Sequence, residues 1–396
     1  MSLNDTPRAN RLHIGIFGKR NSGKSTLINA LTGHDVSVVS EIAGTTTDPV
    51  YKTIEIYGIG PCVLIDTAGF DDEGYLGAMR VDKTKVAMEK TDIALILFTD
   101  EDITQETEWI HMFRERKTPV IPLINKADIL KNTDTIRSKI LEICKEEPII
   151  ISAISKTGTE QIREAILRKL PDEYDNISIT GSLVAEDDLV LLVMPQDIQA
   201  PKGRLILPQV QTIRELLDKK CIVVSSTSDK IPQALSAMSK PPKLIITDSQ
   251  VFPLVYRLKP QESMLTSFSV LFAALKGDID YFIKSAAVID SLTPKSKVLI
   301  AEACTHVPIS EDIGTIKIPY MLREKAGDGI TIVNVHGNDF PEDLTSYDLI
   351  IQCGSCMFNR KFVLNRVAKA KAQKVPMTNY GIAIAHLTGI LDKICV

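Results

Sequence analysis

Gly18-Lys-Arg-Asn-Ser-Gly-Lys-Ser25 decides how the amino-terminal part of this chain folds. It matches GxxxxGK[ST], and its flanks give that pattern a mechanical context. His13-Ile-Gly-Ile-Phe17 predicts a short buried strand, and Thr26-Leu-Ile-Asn-Ala-Leu31 predicts the opening of a helix. A strand, glycine-rich turn and helix in that order form a P-loop. Backbone N–H groups of such a turn face an anion, so Asn21, Ser22, Gly23, Lys24, Ser25 and Thr26 are the expected phosphate-binding set. Lys24 is expected to reach the outer phosphates, and the Ser25 hydroxyl to ligate Mg²⁺. The competing reading, a turn that fits the pattern by chance, weakens with each motif that follows.

Ala43-Gly-Thr-Thr-Thr-Asp-Pro49 is a polar stretch ahead of an alternating strand, 50–57, and its threonines are suited to closing on Mg²⁺ and a γ-phosphate. The strand Cys62-Val-Leu-Ile65 delivers Asp66-Thr-Ala-Gly69 at its carboxyl end, where open α/β sheets place ligands. Asp66 is expected to hold the metal's water shell, and the Gly69 amide to sense the γ-phosphate. Strands at 93–98, 120–124 and 149–151 follow, with helices at 105–116 and 159–170. Strand 120–124 ends in Asn125-Lys-Ala-Asp128, which selects the base. The Asp128 carboxylate accepts two hydrogen bonds from guanine N1–H and N2–H₂, and adenine has no matching donor pair, so the motif points to GTP. Ser152-Ala153 closes the set. Lys24, Thr46, Asp66 and Gly69 are the expected catalytic group, and Asn125, Lys126, Asp128, Ser152 and Ala153 the base-side group.

At 396 residues the chain exceeds one ordinary core. Turn-rich residues 171–182 predict a link, which gives an α/β protein of three domains: a nucleotide-binding domain at 1–172, a small α/β domain at 183–260 and a cysteine-bearing domain at 261–396. In the middle domain, 188–194, 204–207, 221–225 and 243–246 read as strands, with helices at 208–219 and 231–238. Few chemical groups converge there, so scaffolding or oligomerisation is its expected role. A helical stretch is expected over 262–292. Residues 1–172 carry 22 basic and 26 acidic side chains, and 173–396 carry 24 of each, so neither part offers the basic surface of a nucleic-acid binder. The polar start without an apolar segment, and the absence of a long uncharged run, predict a cytoplasmic protein with no membrane span.

Seven cysteines in such a chain predict thiols or metal ligands over disulfides. Strand 297–300 leads to Cys304-Thr-His306, and strand 347–351 leads to Gln352-Cys-Gly-Ser-Cys356, with a helix at 316–326 and a strand at 330–335 between them. If the strands are parallel, Cys304, Cys353 and Cys356 leave one sheet edge together. A 4Fe-4S cluster with a fourth, non-cysteine ligand such as His306 or Glu311, a Cys₃His zinc site, and free thiols all fit that spacing. Cys62, Cys144, Cys221 and Cys395 read as packing residues.

The motif order resembles the translation-factor-related small GTPases, and Gly44-Thr-Thr-Thr-Asp48 with Asn21 resembles the branch holding the tRNA-modification GTPases and the FeFe-hydrogenase maturases. That resemblance implies Thr46 as a Mg²⁺ ligand and Asn21 as a K⁺ ligand. Phe70 stands where Ras-like proteins carry a water-orienting glutamine, so K⁺ is the economical aid to hydrolysis. Joined to the middle domain and to a CxH followed some 45 residues later by CxxC, the whole chain resembles the HydF family. What this implies is a homodimeric GTPase with a 4Fe-4S cluster on Cys304, Cys353 and Cys356. Such a protein passes a diiron unit to apo FeFe-hydrogenase, beside the radical-SAM maturases of the same pathway. One residue departs from the family: Gln352 stands where HCxxC is common, which removes that histidine as a ligand. The rival readings are a GTPase of tRNA modification or ribosome assembly, and a zinc-stabilised regulatory GTPase.

Overall fold

In the computed structural model, residues 8–32, 50–56, 58–67, 84–170, 178–195, 205–303, 312–337 and 339–396 are described. Thr46, Gly69, Phe70, Cys304, His306 and Glu311 lie outside them. The chain divides into two compact units, Met1–Tyr174 and Asp175–Val396.

The first unit is built on β1 (Leu12–Gly18), whose seven residues are all buried. Burial on both faces is what a continuous apolar run yields at the centre of a parallel sheet. β2 (Val50–Ile56), β3 (Gly60–Asp66), β4 (Ile93–Phe98), β5 (Val120–Ile124) and β6 (Ile149–Ile150) complete it in the order β2-β3-β1-β4-β5-β6. Only β2 runs antiparallel, against β3. On one face Leu12, Ile14 and Ile16 pack with Leu27, Leu64 and Ile162; on the other Phe17 packs edge-on to Phe113, 4.9 Å between ring centroids.

The second unit holds two four-stranded sheets, each parallel throughout. One runs β10-β9-β7-β8, from β7 (Leu189–Val193), β8 (Ile222–Ser226), β9 (Leu244–Thr247) and β10 (Met264–Ser267). The other runs β12-β11-β13-β14, from β11 (Lys297–Glu302), β12 (Thr331–His336), β13 (Leu349–Gln352) and β14 (Met377–Asn379). A single apolar core links them, running from Leu191, Ile245 and Phe252 through Val270 and Phe282 to Leu299, Ile350 and Ala383.

Three sequence expectations are corrected here. Leu205 and Ile206 are not strand but lead into the helix Leu207–Asp218, because the Gln209 amide oxygen accepts the Ile206 N–H and Pro208 suits a first turn. The stretch 262–292 is not one helix. Met264–Ser267 adds β10 to β9, and the Ser267 hydroxyl then caps the helix Phe268–Lys276 by accepting the Val270 N–H at 3.2 Å. Gly277 and Asp278 separate that helix from Ile279–Ala286, with the Asp278 side chain capping the second. The helix expected from 316 starts as a π turn, Ile313–Lys317, and becomes α at Ile318–Ala326. Among the described residues no helix is long and apolar enough to cross a membrane.

Candidate nucleotide site and cysteine loop

The P-loop leaves the carboxyl end of the central strand and turns with Asn21 and Gly23 at positive φ, 58° and 92°. Gly23 is obligatory on a second count: a Cβ there would lie 2.4 Å from Asn125 Nδ2. Helix Lys24–Leu31 starts at once, and its first residues line a cavity of about 330 Å³ with Asn21, Asn125, Lys126, Asp128 and Ala153. Lys24 is buried, and its ammonium donates to the carbonyl oxygens of Gly18 at 2.6 Å and Lys19 at 2.8 Å. Ser25 Oγ donates to Asp66 Oδ2 at 2.9 Å. A hydroxyl beside a carboxylate is the hard-oxygen pair that Mg²⁺ takes, so these two side chains fit the ion. Burial raises the Asp66 pKa, against the Ser25 hydrogen bond and the fields of Lys24 and Lys52. Thr67 anchors the same strand end by donating to Ile16 O at 2.7 Å.

The base side is tied to the phosphate side by Asn125. Its Nδ2 donates to Ser22 O at 2.8 Å while its Oδ1 accepts from Ala153 N at 3.1 Å. Ser152 Oγ donates to Asp128 Oδ1 at 2.6 Å and aims the carboxylate, which is exposed on the cavity wall. Asn21, Gly23, Lys24, Ser25, Thr26, Asn125, Lys126, Asp128 and Ala153 therefore share one cavity, as their motifs predict. Ser22 is buried and takes part through its carbonyl, Ser152 acts through Asp128, and Asp66 acts through Ser25.

A buried carboxylate that the motifs do not announce supports the loop from the helix Thr104–Glu115. Lys19 Nζ lies 3.0 Å from Asp100, 3.5 Å from Asp102 and 4.0 Å from Glu106. Glu106 is 2% exposed, and its Oε2 has no hydrogen-bond partner among the described residues. Burial pushes its pKa up to about 7. A glutamate with three acidic neighbours in sequence, at the first turn of an amphipathic helix, gives no signal of burial.

In the second unit, β11 and β13 are parallel neighbours, so their carboxyl ends share an edge. Cys353 follows β13 directly, its N–H donating to Ala301 O at 3.0 Å. Its sulfur accepts N–H bonds from Ala303 at 3.1 Å and Ser355 at 3.4 Å. Burial pushes the Cys353 thiol up in pKa, and those two bonds oppose the rise. Gln352, where the resemblance leads one to look for histidine, is buried. Its Nε2 donates to Ser355 Oγ at 2.7 Å and its Oε1 accepts from Arg366 at 3.2 Å. Glu302, at the end of β11, accepts from Tyr380 at 2.9 Å and lies 3.0 Å from His336 Nδ1. Among the described residues no three His, Cys, Asp or Glu side chains gather as a metal site; Cys304, His306 and Glu311 are outside that set.

The six-stranded sheet, the P-loop and the Asn125–Asp128 loop on one cavity make the amino-terminal unit a P-loop GTPase domain. A model of the 50S ribosome-binding GTPases matches 13–126, one of the hydrogen maturase F dimerization domain matches 179–277, and one of the hydrogen maturase F tetramerization domain matches 280–395. The chain belongs to the hydrogen maturase F family. It is also similar to the tRNA modification GTPase MnmE of Alkaliphilus metalliredigens, 37% identical over 183 residues covering 46% of this chain and 37% of that protein. The MnmE of Bordetella parapertussis is 29% identical over 214 residues, 48% of this chain and 45% of that one. The chain thus spans less than half the length of these curated relatives. Among solved structures, Aquifex aeolicus Era bound to GDP and aluminium fluoride aligns at 21% identity and a TM-score of 0.34, over 64% of this chain and 99% of its own.

Glu106 and Asp128 each yield a test. A carboxyl whose folded pKa lies above its unfolded value favours folding below the unfolded pKa, and that contribution is lost as pH rises through the folded one. The wild type should therefore lose stability between about pH 4.5 and about pH 7 on account of Glu106. Glu106→Gln should raise the melting point at pH 8 by a few degrees, at about 2–4 °C per kcal/mol for a unit of this size, with the gain shrinking toward pH 4.5. Equal melting points at pH 8 would refute it. Asp128→Asn should weaken GTP binding by roughly 2–4 kcal/mol and favour a xanthine nucleotide, as read by calorimetry with both nucleotides. Unchanged GTP affinity would exclude Asp128 as the guanine reader.

Proposed function

We propose that this chain binds GTP with Mg²⁺ in the first unit, hydrolyses it, and uses the cycle to control an iron–sulfur scaffold that serves FeFe-hydrogenase maturation. The observation that carries the reading is a cavity that joins the P-loop to the Asn125–Asp128 loop, in the same chain as a backbone-cradled cysteine loop, with both hydrogen maturase F domains present. Lys24 holds the phosphates, Ser25 and Asp66 hold Mg²⁺ and its water shell, and Asn125 keeps the base loop in register with the P-loop. Asp128, aimed by Ser152, reads guanine. Asn21, exposed on the cavity wall, is the K⁺ ligand of this reading, with Thr46 and Gly69 acting from outside the described residues.

Cys353 and Cys356 with Cys304 would hold a 4Fe-4S cluster, and His306 or Glu311 would complete it. The donor set fits: soft thiolates suit iron, and two N–H groups aimed at one sulfur stabilise its negative charge. When bound, the cluster would supply an electron-transfer centre with one exchangeable iron position. The cargo is a diiron unit, the recipient is apo FeFe-hydrogenase, and the radical-SAM maturases are the further partners. The protein works as a cytoplasmic homodimer through the middle domain at 183–260, beside a GTP-binding domain at 1–172 and a cluster domain at 261–396. The role in tRNA modification in the MnmE relatives' names is not carried over, because neither part of this chain is basic.

Two measurements test this reading. GTP hydrolysis should run faster in K⁺ than in Na⁺, and Asn21→Ala should abolish the difference while sparing GTP binding; equal rates in both salts would remove Asn21 from the mechanism. Protein purified anaerobically and reconstituted should hold about four irons and four sulfides per chain, and Cys353→Ser should lose them. Stoichiometric zinc in place of iron, or a cluster that survives the serine substitution, would overturn the iron–sulfur assignment.

A further inference from the structure

Helix Phe268–Lys276 ends on a buried lysine. Lys276 is 3% exposed, and its Nζ donates to the carbonyl oxygens of Ser355 at 2.9 Å, Cys356 at 3.3 Å and Phe358 at 2.9 Å. Three acceptors match the three N–H bonds of an ammonium. Arg360 Nε returns the contact by donating to Leu275 O at 3.0 Å, so helix end and loop hold each other. The lysine belongs to the stretch matched by the dimerization domain, and the loop to the stretch matched by the tetramerization domain.

Taking an ammonium out of water is costly, and backbone carbonyls compensate it only while the loop keeps one conformation. That conformation is the one in which Ser355 N–H meets the Cys353 sulfur. We propose that Lys276 is a positioning residue for the cysteine loop: it fixes the loop for iron–sulfur binding, and its charge raises the reduction potential of the cluster. The proposal rests on the iron–sulfur reading of Cys353 and Cys356. A fixed cation in a site of low polarisability favours the form carrying the added electron, and its loss disfavours it. Arg366, a second buried cation in this region, donates to Gln352 Oε1 and Gly337 O.

The experiment uses the full chain, reconstituted anaerobically, as wild type, Lys276→Gln, Lys276→Met and Lys276→Arg. Redox titration followed by electron paramagnetic resonance should give more negative potentials for the Gln and Met variants and a near wild-type value for Arg. In the cluster-free proteins, hydrogen exchange at amides 355–358 should be at least about tenfold faster for Met than for wild type. Gln keeps a donor without the charge and carries both measurements if Met does not fold. Potentials unchanged in Gln and Met would overturn the electrostatic role, and unchanged exchange would overturn the clamp. A wild type that binds no cluster would overturn the iron–sulfur reading and the tuning with it, while the exchange measurement still decides the clamp.

Discussion

Parallel strand pairing is the constraint on which both units depend. Neighbouring parallel strands need a crossover instead of a hairpin, so every strand that runs parallel in a sheet delivers its carboxyl end to the same edge. In the first unit that edge receives the P-loop after β1, Asp66 at the end of β3, Asn125 after β5 and Ser152 just beyond β6. In the second it receives Glu302 at the end of β11 and Cys353 after β13. Residues more than a hundred positions apart, such as Ser22 and Asn125, become hydrogen-bond partners because of this polarity.

Both sites also use a buried ammonium to shape a loop. Lys24 spans the carbonyls of Gly18 and Lys19 in the P-loop, and Lys276 spans three carbonyls of the cysteine loop. Turning carbonyls onto a cation frees neighbouring N–H groups for other acceptors, and in the cysteine loop Ser355 N–H meets the Cys353 sulfur. The cost of burying the charge is what makes each loop definite, since any other conformation strands the ammonium. Lys19, set between the exposed Asp100 and Asp102 and the buried Glu106, adds a third charge group beside the P-loop.

Motifs were legible where a short run of residues carries its own chemistry. The P-loop, Asn125 to Asp128 and Ser152-Ala153 are each contiguous, and the structure brings residues of each onto one cavity, with Ser152 reaching it through Asp128. Secondary structure was less legible where local preference was ambiguous. Met264–Ser267 lies at the head of an apolar stretch that helical spacing also fits, and pairing with β9 makes it a strand. Leu205 and Ile206 have strand-forming neighbours in composition, yet the Gln209 bond to Ile206 and Pro208 set them at a helix start.

The sequence by itself determined the chemistry available: a glycine-bearing P-loop motif, an Asn-Lys-Ala-Asp motif, thiols in a CxxC and a balance of charge that disfavours nucleic acid. Only the tertiary structure decided which groups support that chemistry. Lys276 reads as one more polar residue closing an apolar helix, Glu106 as a solvated glutamate and Gln352 as a lost histidine. In the fold they become a loop clamp, a buried carboxylate behind the P-loop and a hydrogen-bond bridge from Arg366 to Ser355. The reason is physical. A motif's function is written in the identity of adjacent residues, whereas the worth of a charge or an amide depends on burial and partners, and those come from chain segments that the sequence keeps far apart.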